Sequence, residues 1–298
     1  VPYRDGRDFE FYMSIPVEIN NTVYARNGSL VNSIVYSEDY CMNWDTLLFA
    51  PLDDYMGETT KFYDLVKNGT SLFVPADSGR LYRSFDKGKT WDYYLFENDI
   101  HPIQHLQFVN KDVGYVGMVD KHLLAKTTDG GMSWNPLPLV GNVLPEVFSF
   151  LRFVAASENH IIVVGYDITQ AKLIFLETTD GGNSWHRFES EELKKSKLIY
   201  NYYPNLTYHN GYFLVEYPHK DGPSGNTSLL KSKDFRTWEP IFISDSSSLK
   251  NIKQIKFYDN IGIGIGADIF IVSSDNGETW VDLYDKKDTV LFDKAAPI

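Results

Sequence analysis

The chain has 298 residues, a net charge of -12 and an aromatic content of 15%. The acidic balance excludes the basic face that a nucleic-acid binder needs. No apolar run reaches the roughly 18 residues of a membrane span, and the lone cysteine, Cys41, excludes an internal disulfide.

Apolar residues do not recur at helical spacing over any long stretch, whereas short runs rich in Tyr, Phe, Ile and Val are frequent, which favours strands. In chain order the runs fall into six groups: residues 9–50, 60–98, 101–140, 146–192, 197–245 and 250–287. Each group holds one copy of a turn motif, Ser/Thr-x-Asp-x-Gly-x-Ser/Thr-Trp, called the box below. The boxes carry Asp39 and Trp44, Asp86 and Trp91, Asp129 and Trp134, Asp180 and Trp185, Asp234 and Trp238, and Asp275 and Trp280. All six tryptophans of the chain are used, at intervals of 47, 43, 51, 53 and 42 residues. That interval suits one four-stranded blade. The run before each box reads as the third strand of a blade and the run after it as the fourth. The predicted fold is all-β: a single six-bladed β-propeller of four-stranded antiparallel blades, spanning residues 1–298. Two terminal runs, residues 9–13 and 289–293, are expected to meet in one blade and close the ring.

The chemistry of the box is local. Glycine permits a positive φ in a tight turn. The aspartate accepts from turn backbone groups, and the Ser/Thr hydroxyls accept or donate. Tryptophan supplies an apolar plate for the sheet. The first box has Cys41 in place of glycine and the fifth is one residue short, so these two turns are expected to be the most distorted. Cys41 is read as an inert, buried thiol.

The pattern resembles the Asp-box (BNR) repeat family, whose members include sialidases, sortilin-like receptors, xyloglucanases and photosystem assembly factors. The resemblance covers essentially the whole chain. It implies the propeller fold and an architectural role for the boxes, and it leaves function to be argued from a site.

Propeller ligands usually meet the innermost strands and their loops. Aligning those strands in three blades sets Gln107, Arg152 and Lys256 at one level, and His105, Phe150 and Gln254 at another. Together His105, Arg152, Gln254 and Lys256 would receive an anionic group such as a carboxylate; the alternative is a merely solvated channel lining. Among the loops, Asp53, Asp54, Tyr55 and Tyr217 are candidate contact residues. Tyr202 and Tyr203 belong to a tyrosine-rich stretch with Tyr208 and Tyr212, which suits sugar stacking, protein anchoring or plain strand packing.

The sialidase version of the resemblance meets a specific obstacle. Its Arg-Ile-Pro sequence is represented here by Ser14-Ile15-Pro16, and only Arg4, Arg7, Arg26 and Arg152 stand away from the boxes. No catalytic residue, metal site or cofactor is assigned. The preferred reading is a non-catalytic protein-binding propeller, exported and bacterial, acting in interaction, assembly or toxin immunity. Val1 in place of Met is compatible with a removed leader, so a periplasmic or secreted location is expected. An acidic surface suits a basic protein partner. The alternative is a glycan-active protein, a sialidase-like hydrolase or a carbohydrate-binding propeller.

Overall fold

A computed structural model describes residues 14–27, 32–51, 60–96, 101–118, 123–139, 148–167, 169–170, 172–190, 193, 206–218, 227–241, 243–244, 252–266 and 269–283. Two compact units divide the chain, Val1–Leu139 and Val140–Ile298. The first holds three sheets: β1 (Val17–Ile19), β2 (Thr22–Asn27), β3 (Ser33–Ser37) and β4 (Asp45–Phe49); β5 (Val66–Asn68), β6 (Ser71–Pro75), β7 (Arg80–Ser84) and β8 (Asp92–Leu95); β9 (Ile103–Phe108), β10 (Gly114–Met118), β11 (Leu123–Thr127) and β12 (Asn135–Pro138). In the second unit come β13 (Phe148–Ala155), β14 (Ile161–Asp167), β15 (Lys172–Thr178) and β16 (His186–Phe188), then β17 (Leu206–His209), β18 (Tyr212–Pro218), β19 (Thr227–Ser232) and β20 (Glu239–Ile241). Its last sheet has β22 (Ile252–Tyr258), β23 (Ile261–Gly266), β24 (Phe270–Ser273) and β25 (Trp280–Asp282). Within every sheet, strands consecutive in the chain pair antiparallel, as a meander requires. One strand departs from the expected plan: β21 (Ile243–Ser244) follows β20 and pairs parallel with β25, making the sixth sheet five-stranded.

Burial explains the apolar runs. The second strand is covered on both faces in the middle blades: β10 is buried at every residue, and β6 and β14 at all but one. Alternate residues therefore enter different cores. Leu72 and Val74 of β6 pack with Val17, Ile19 and Ile34, while Phe73 packs with Ile103, Leu106 and Val116. In the second unit, Phe213 and Val215 of β18 join Val164 and Phe175, while Leu214 joins Ile255 and Ile271. Tryptophans of the boxes fill these interfaces: Trp134 lies in the core between the second and third sheets, and Trp280 in the core between the fifth and sixth.

The six turns share one hydrogen-bond plan. In the third, Thr127 Oγ1 accepts from Gly131 N at 2.9 Å and donates to Asp129 Oδ1 at 2.7 Å; Asp129 also accepts from Ser133 N and Ser133 Oγ. Corresponding bonds close the second, fourth and sixth turns. The donors keep the carboxylates charged. Asp86 is held at about 2, chiefly by the Thr90 hydroxyl, and Asp39 at about 2, chiefly by Asn43 N–H. Asp129 also lies at about 2, because burial that would raise it is outweighed by Ser133.

The full-length turn places two successive residues in the left-handed region, not the single glycine read from the sequence. Gly130 and Gly131 have φ of 73° and 94°, and Lys87 and Gly88 have 63° and 86°. In the first box both positions are non-glycine, Tyr40 at 57° and Cys41 at 68°. Its bonding is nevertheless regular: Cys41 N donates to Ser37 Oγ at 3.0 Å, and Asn43 replaces Ser/Thr by donating through Nδ2 to Asp39. The expected distortion of that turn is thus confined to backbone strain. In the shorter fifth box Phe235 alone has positive φ (61°), and Asp234 Oδ1 accepts from both Arg236 N and Thr237 N. Cys41 is exposed rather than buried, because it sits at the tip of the turn between Tyr40 and Met42, which are 88% and 80% exposed. The terminal runs expected to close the ring lie outside the described residues.

Candidate binding surfaces

The innermost strands place the first group of candidate residues. His105 lies on β9 of the first unit; Arg152 lies on β13, and Gln254 and Lys256 on β22, of the second. Their levels differ from the sequence alignment. Counted from the strand residue level with each box hydroxyl (Phe108, Ala155 and Phe257), His105, Arg152 and Gln254 share one level and Gln107, Val154 and Lys256 another. Arg152 is therefore not equivalent to Gln107 and Lys256. The reason is the length of β13, which continues in the ladder through Val154 and Ala155 before turning. A register shift stands beside His105, Arg152 and Gln254 in all three strands. Such bulges re-aim a side chain locally. Nδ1 of His105 and Nε of Arg152 are buried without a hydrogen-bond partner, although both residues make other interactions.

Most loop candidates give no geometry. Asp53, Asp54, Tyr55, Tyr202 and Tyr203 lie outside the described residues, and Tyr217 is described only as a β18 residue paired with Ser228. Two neighbours of the tyrosine stretch are part of blade packing: Tyr208 meets Phe213 at 4.9 Å between ring centroids, and Tyr212 lies beneath Lys231 and Lys233, each 5.1 Å away.

One position that sequence reading missed is the residue just before the box. Arg83 donates from Nη1 to the carbonyls of Gly131 and Met132 in the following box, at 3.1 and 2.7 Å, and pairs through Nε with Asp92. Glu177 reaches forward likewise, accepting from Arg236 Nη2 at 2.5 Å, with His160 Nε2 2.9 Å from its other oxygen. Burial would raise the Glu177 carboxyl, but hydrogen bonds from Arg236 and His160 hold it below the ordinary range. Arg236 lies 4.4 Å over the Phe188 ring. Lys231 donates to Glu278 Oε2 at 2.5 Å. This position latches one blade to the next by a cation, then an anion, then a cation. With no shared residue type, it leaves no repeat signal in the sequence.

Exposed apolar side chains are unevenly distributed among the described residues. Tyr40, Met42, Phe85 and Met132 project from the three box turns of the first unit, and Phe49, Tyr93 and Leu95 from its outer strands. The second unit exposes Ile261 and Phe270, while its box turns present Asn183, Arg236 and Glu278. Among the described residues, no group of three His, Cys, Asp or Glu could hold a metal ion, and no helix is long and apolar enough to cross a membrane.

No family model matches the chain, and no curated protein does. Solved structures do. The GH74 xyloglucanase from Xanthomonas campestris aligns with 88% of the chain at 13% identity and a TM-score of 0.57, over 45% of the enzyme's length. YCF48 bound to D1 peptide aligns with 88% of the chain at 13% identity and a TM-score of 0.54, over 79% of its length. YCF48 from Cyanidioschyzon merolae aligns with 91% at 13% identity and a TM-score of 0.55, over 83% of its length. The chain thus spans about half the length of the xyloglucanase. At such identity these likenesses show the fold: the six sheets are the blades of a β-propeller.

Proposed function

We propose that this propeller is a non-catalytic binding protein whose ligand is another protein, and that its repeats belong to the Asp-box type. The observation that carries the reading is the concentration of exposed aromatic and apolar side chains on the first unit. Large exposed apolar groups lower solubility unless a partner covers them. The recurrent acids support the same reading, since each box aspartate accepts several hydrogen bonds from its own turn and stays ionised at neutral pH. A general acid needs the opposite, a carboxyl raised toward the working pH. YCF48, matched over most of its length, has been solved with a peptide bound, which fits a propeller that recognises polypeptide.

The setting in this proposal is an exported bacterial protein acting in assembly or toxin immunity, with a basic partner suited to the net charge of -12. Affinity capture of the tagged protein from its native extract, read by mass spectrometry, tests the reading. One stoichiometric protein partner is expected. An empty capture from folded protein, together with binding or cleavage in a glycan panel, would replace it with the glycan-active alternative.

A further inference from the structure

An outer strand of a blade is a sheet edge, and exposed edges are templates for pairing unless they are protected. Among the described residues, five of the six outer edges are protected. β4 carries a bulge, its register shifting between Ile34 and Val35 on β3. In β12, Pro136 and Pro138 lack N–H groups, and β20 has Glu239 and Pro240. β16 is three residues long and presents His186 and Arg187. The edge of β25 is covered by β21, with Ile243 opposite Trp280 and Ser244 opposite Val281. This chain therefore already adds a strand to a blade edge.

Among the described residues β8 has none of these devices. It is regular, free of proline, and pairs residue for residue with β7. Its one charged residue, Asp92, is held by Arg83. Phe96 N donates to Gly79 O just beyond the strand, at 3.0 Å. By antiparallel alternation, Tyr94 and Asp92 also face β7, and the N–H and C=O groups of Trp91, Tyr93 and Leu95 point outward. The side chains of Tyr93 and Leu95 are 51% and 47% exposed, with the Arg80 guanidinium 5.9 Å over the Tyr93 ring.

We propose that β8 is a self-association edge, pairing antiparallel with β8 of a second copy about a twofold axis at Tyr93. Three features select a second copy over a foreign strand. Centring on Tyr93 matches all outward-facing residues at once, Tyr93 with the partner's Tyr93 and Trp91 with the partner's Leu95, which sets aromatic and aliphatic groups opposite each other. No like charges oppose each other in that register. The charges along the sequence are also self-complementary: Lys87 and Lys89 precede the strand, and Glu97 and Asp99 follow it. Antiparallel pairing sets the basic end of one copy against the acidic end of the other, whereas parallel pairing would set like ends together. Glu97 and Asp99 lie outside the described residues; the ladder itself runs over Trp91–Leu95. A twofold contact of this kind is closed and does not propagate. A stable dimer buries about 1,200 Å² or more, so a ladder this short gives a weak, concentration-dependent dimer.

Sedimentation equilibrium of the full chain, from about 10 µM to about 1 mM, tests this. The wild type is expected to shift from monomer to dimer across that range. Tyr93→Pro removes an outward donor without touching the β7 ladder, and is expected to weaken dimerisation about tenfold or more by removing both symmetric hydrogen bonds. Phe49→Pro, on the bulged edge of β4, is expected to dimerise like the wild type. Far-UV circular dichroism checks that both variants fold. In the wild type, amide exchange at Tyr93 and Leu95 should slow as concentration rises, while Tyr94 and Phe96 stay protected throughout. A monomer at every concentration, a dimer indifferent to Tyr93→Pro, or unchanged exchange at Tyr93 would overturn the proposal.

Discussion

The two units repeat one blade plan and differ in what they place on its exposed positions. In the first, turn tips carry Tyr40, Met42, Phe85 and Met132, and no described strand covers the outer edge of β8. In the second, the corresponding turns carry Arg236 and Glu278, which the residues before the preceding boxes engage, and β21 covers the last edge. Stability and recognition make opposite demands on such positions. A latched or covered edge is stable and mute, and an exposed aromatic is sticky at some cost in solubility.

What the units share is tested most severely by acid. The box aspartates other than Asp275 sit at about 2, and Asp275 is lowered as well, against 3.8 for a free carboxyl. A depressed folded pKa contributes stability that is fully present above the unfolded value and lost as pH falls toward the folded one. Thermal melts should therefore drop steeply between about pH 4 and pH 2. Asp129→Asn should melt lower at pH 7 and show a shallower drop. Equal acid sensitivity in wild type and variant would remove the turns as its source.

Packing between blades should give the largest single-residue effect. A Cβ at Gly131 would stand 2.6 Å from Phe73 Cε1, at a φ of 94°. Gly131→Ala should cost about 3 kcal/mol in urea unfolding, from strain plus displacement of a buried ring. Gly69→Ala, where φ is also positive but nothing lies within 4 Å, should cost only about 1 kcal/mol. Equal costs would mean that backbone strain alone explains the box glycines.

The latch of the second unit ranks next. Glu177→Ala leaves Arg236 and His160 without their carboxylate and should cost about 1–2 kcal/mol, discounted for the exposure of Arg236. The smallest effect is a gain. Cys41→Gly relieves a left-handed non-glycine residue at an exposed tip and should stabilise by about 1 kcal/mol. Destabilisation there would show that the Cys41 side chain makes a contact the turn needs.

Blade number was readable because the box couples a hydroxyl residue, an acid and a tryptophan in fixed order, and each has a local physical job. The site was less readable. Arg152 was set at the wrong level because sequence aligns strand beginnings, whereas the ladder is anchored at the box end and β13 is long. The latch residues Arg83, Glu177 and Lys231 share position but not chemistry. Exposure of Tyr93 and Leu95 was hidden because an apolar run reads alike in a covered strand and at an open edge. Only pairing distinguishes them, as β21 does for the edge of β25.

On the proposed reading, recognition belongs to the first unit. The most direct measurement compares capture of protein partners by the wild type, by a Tyr40→Ser/Met42→Ser/Met132→Ser variant, and by an Ile261→Ser/Phe270→Ser variant, each verified as folded. The expected result is that the wild type and the second-unit variant retrieve the same stoichiometric partner while the first-unit variant loses it. Retention by the first-unit variant with loss by the second-unit variant would contradict the claim.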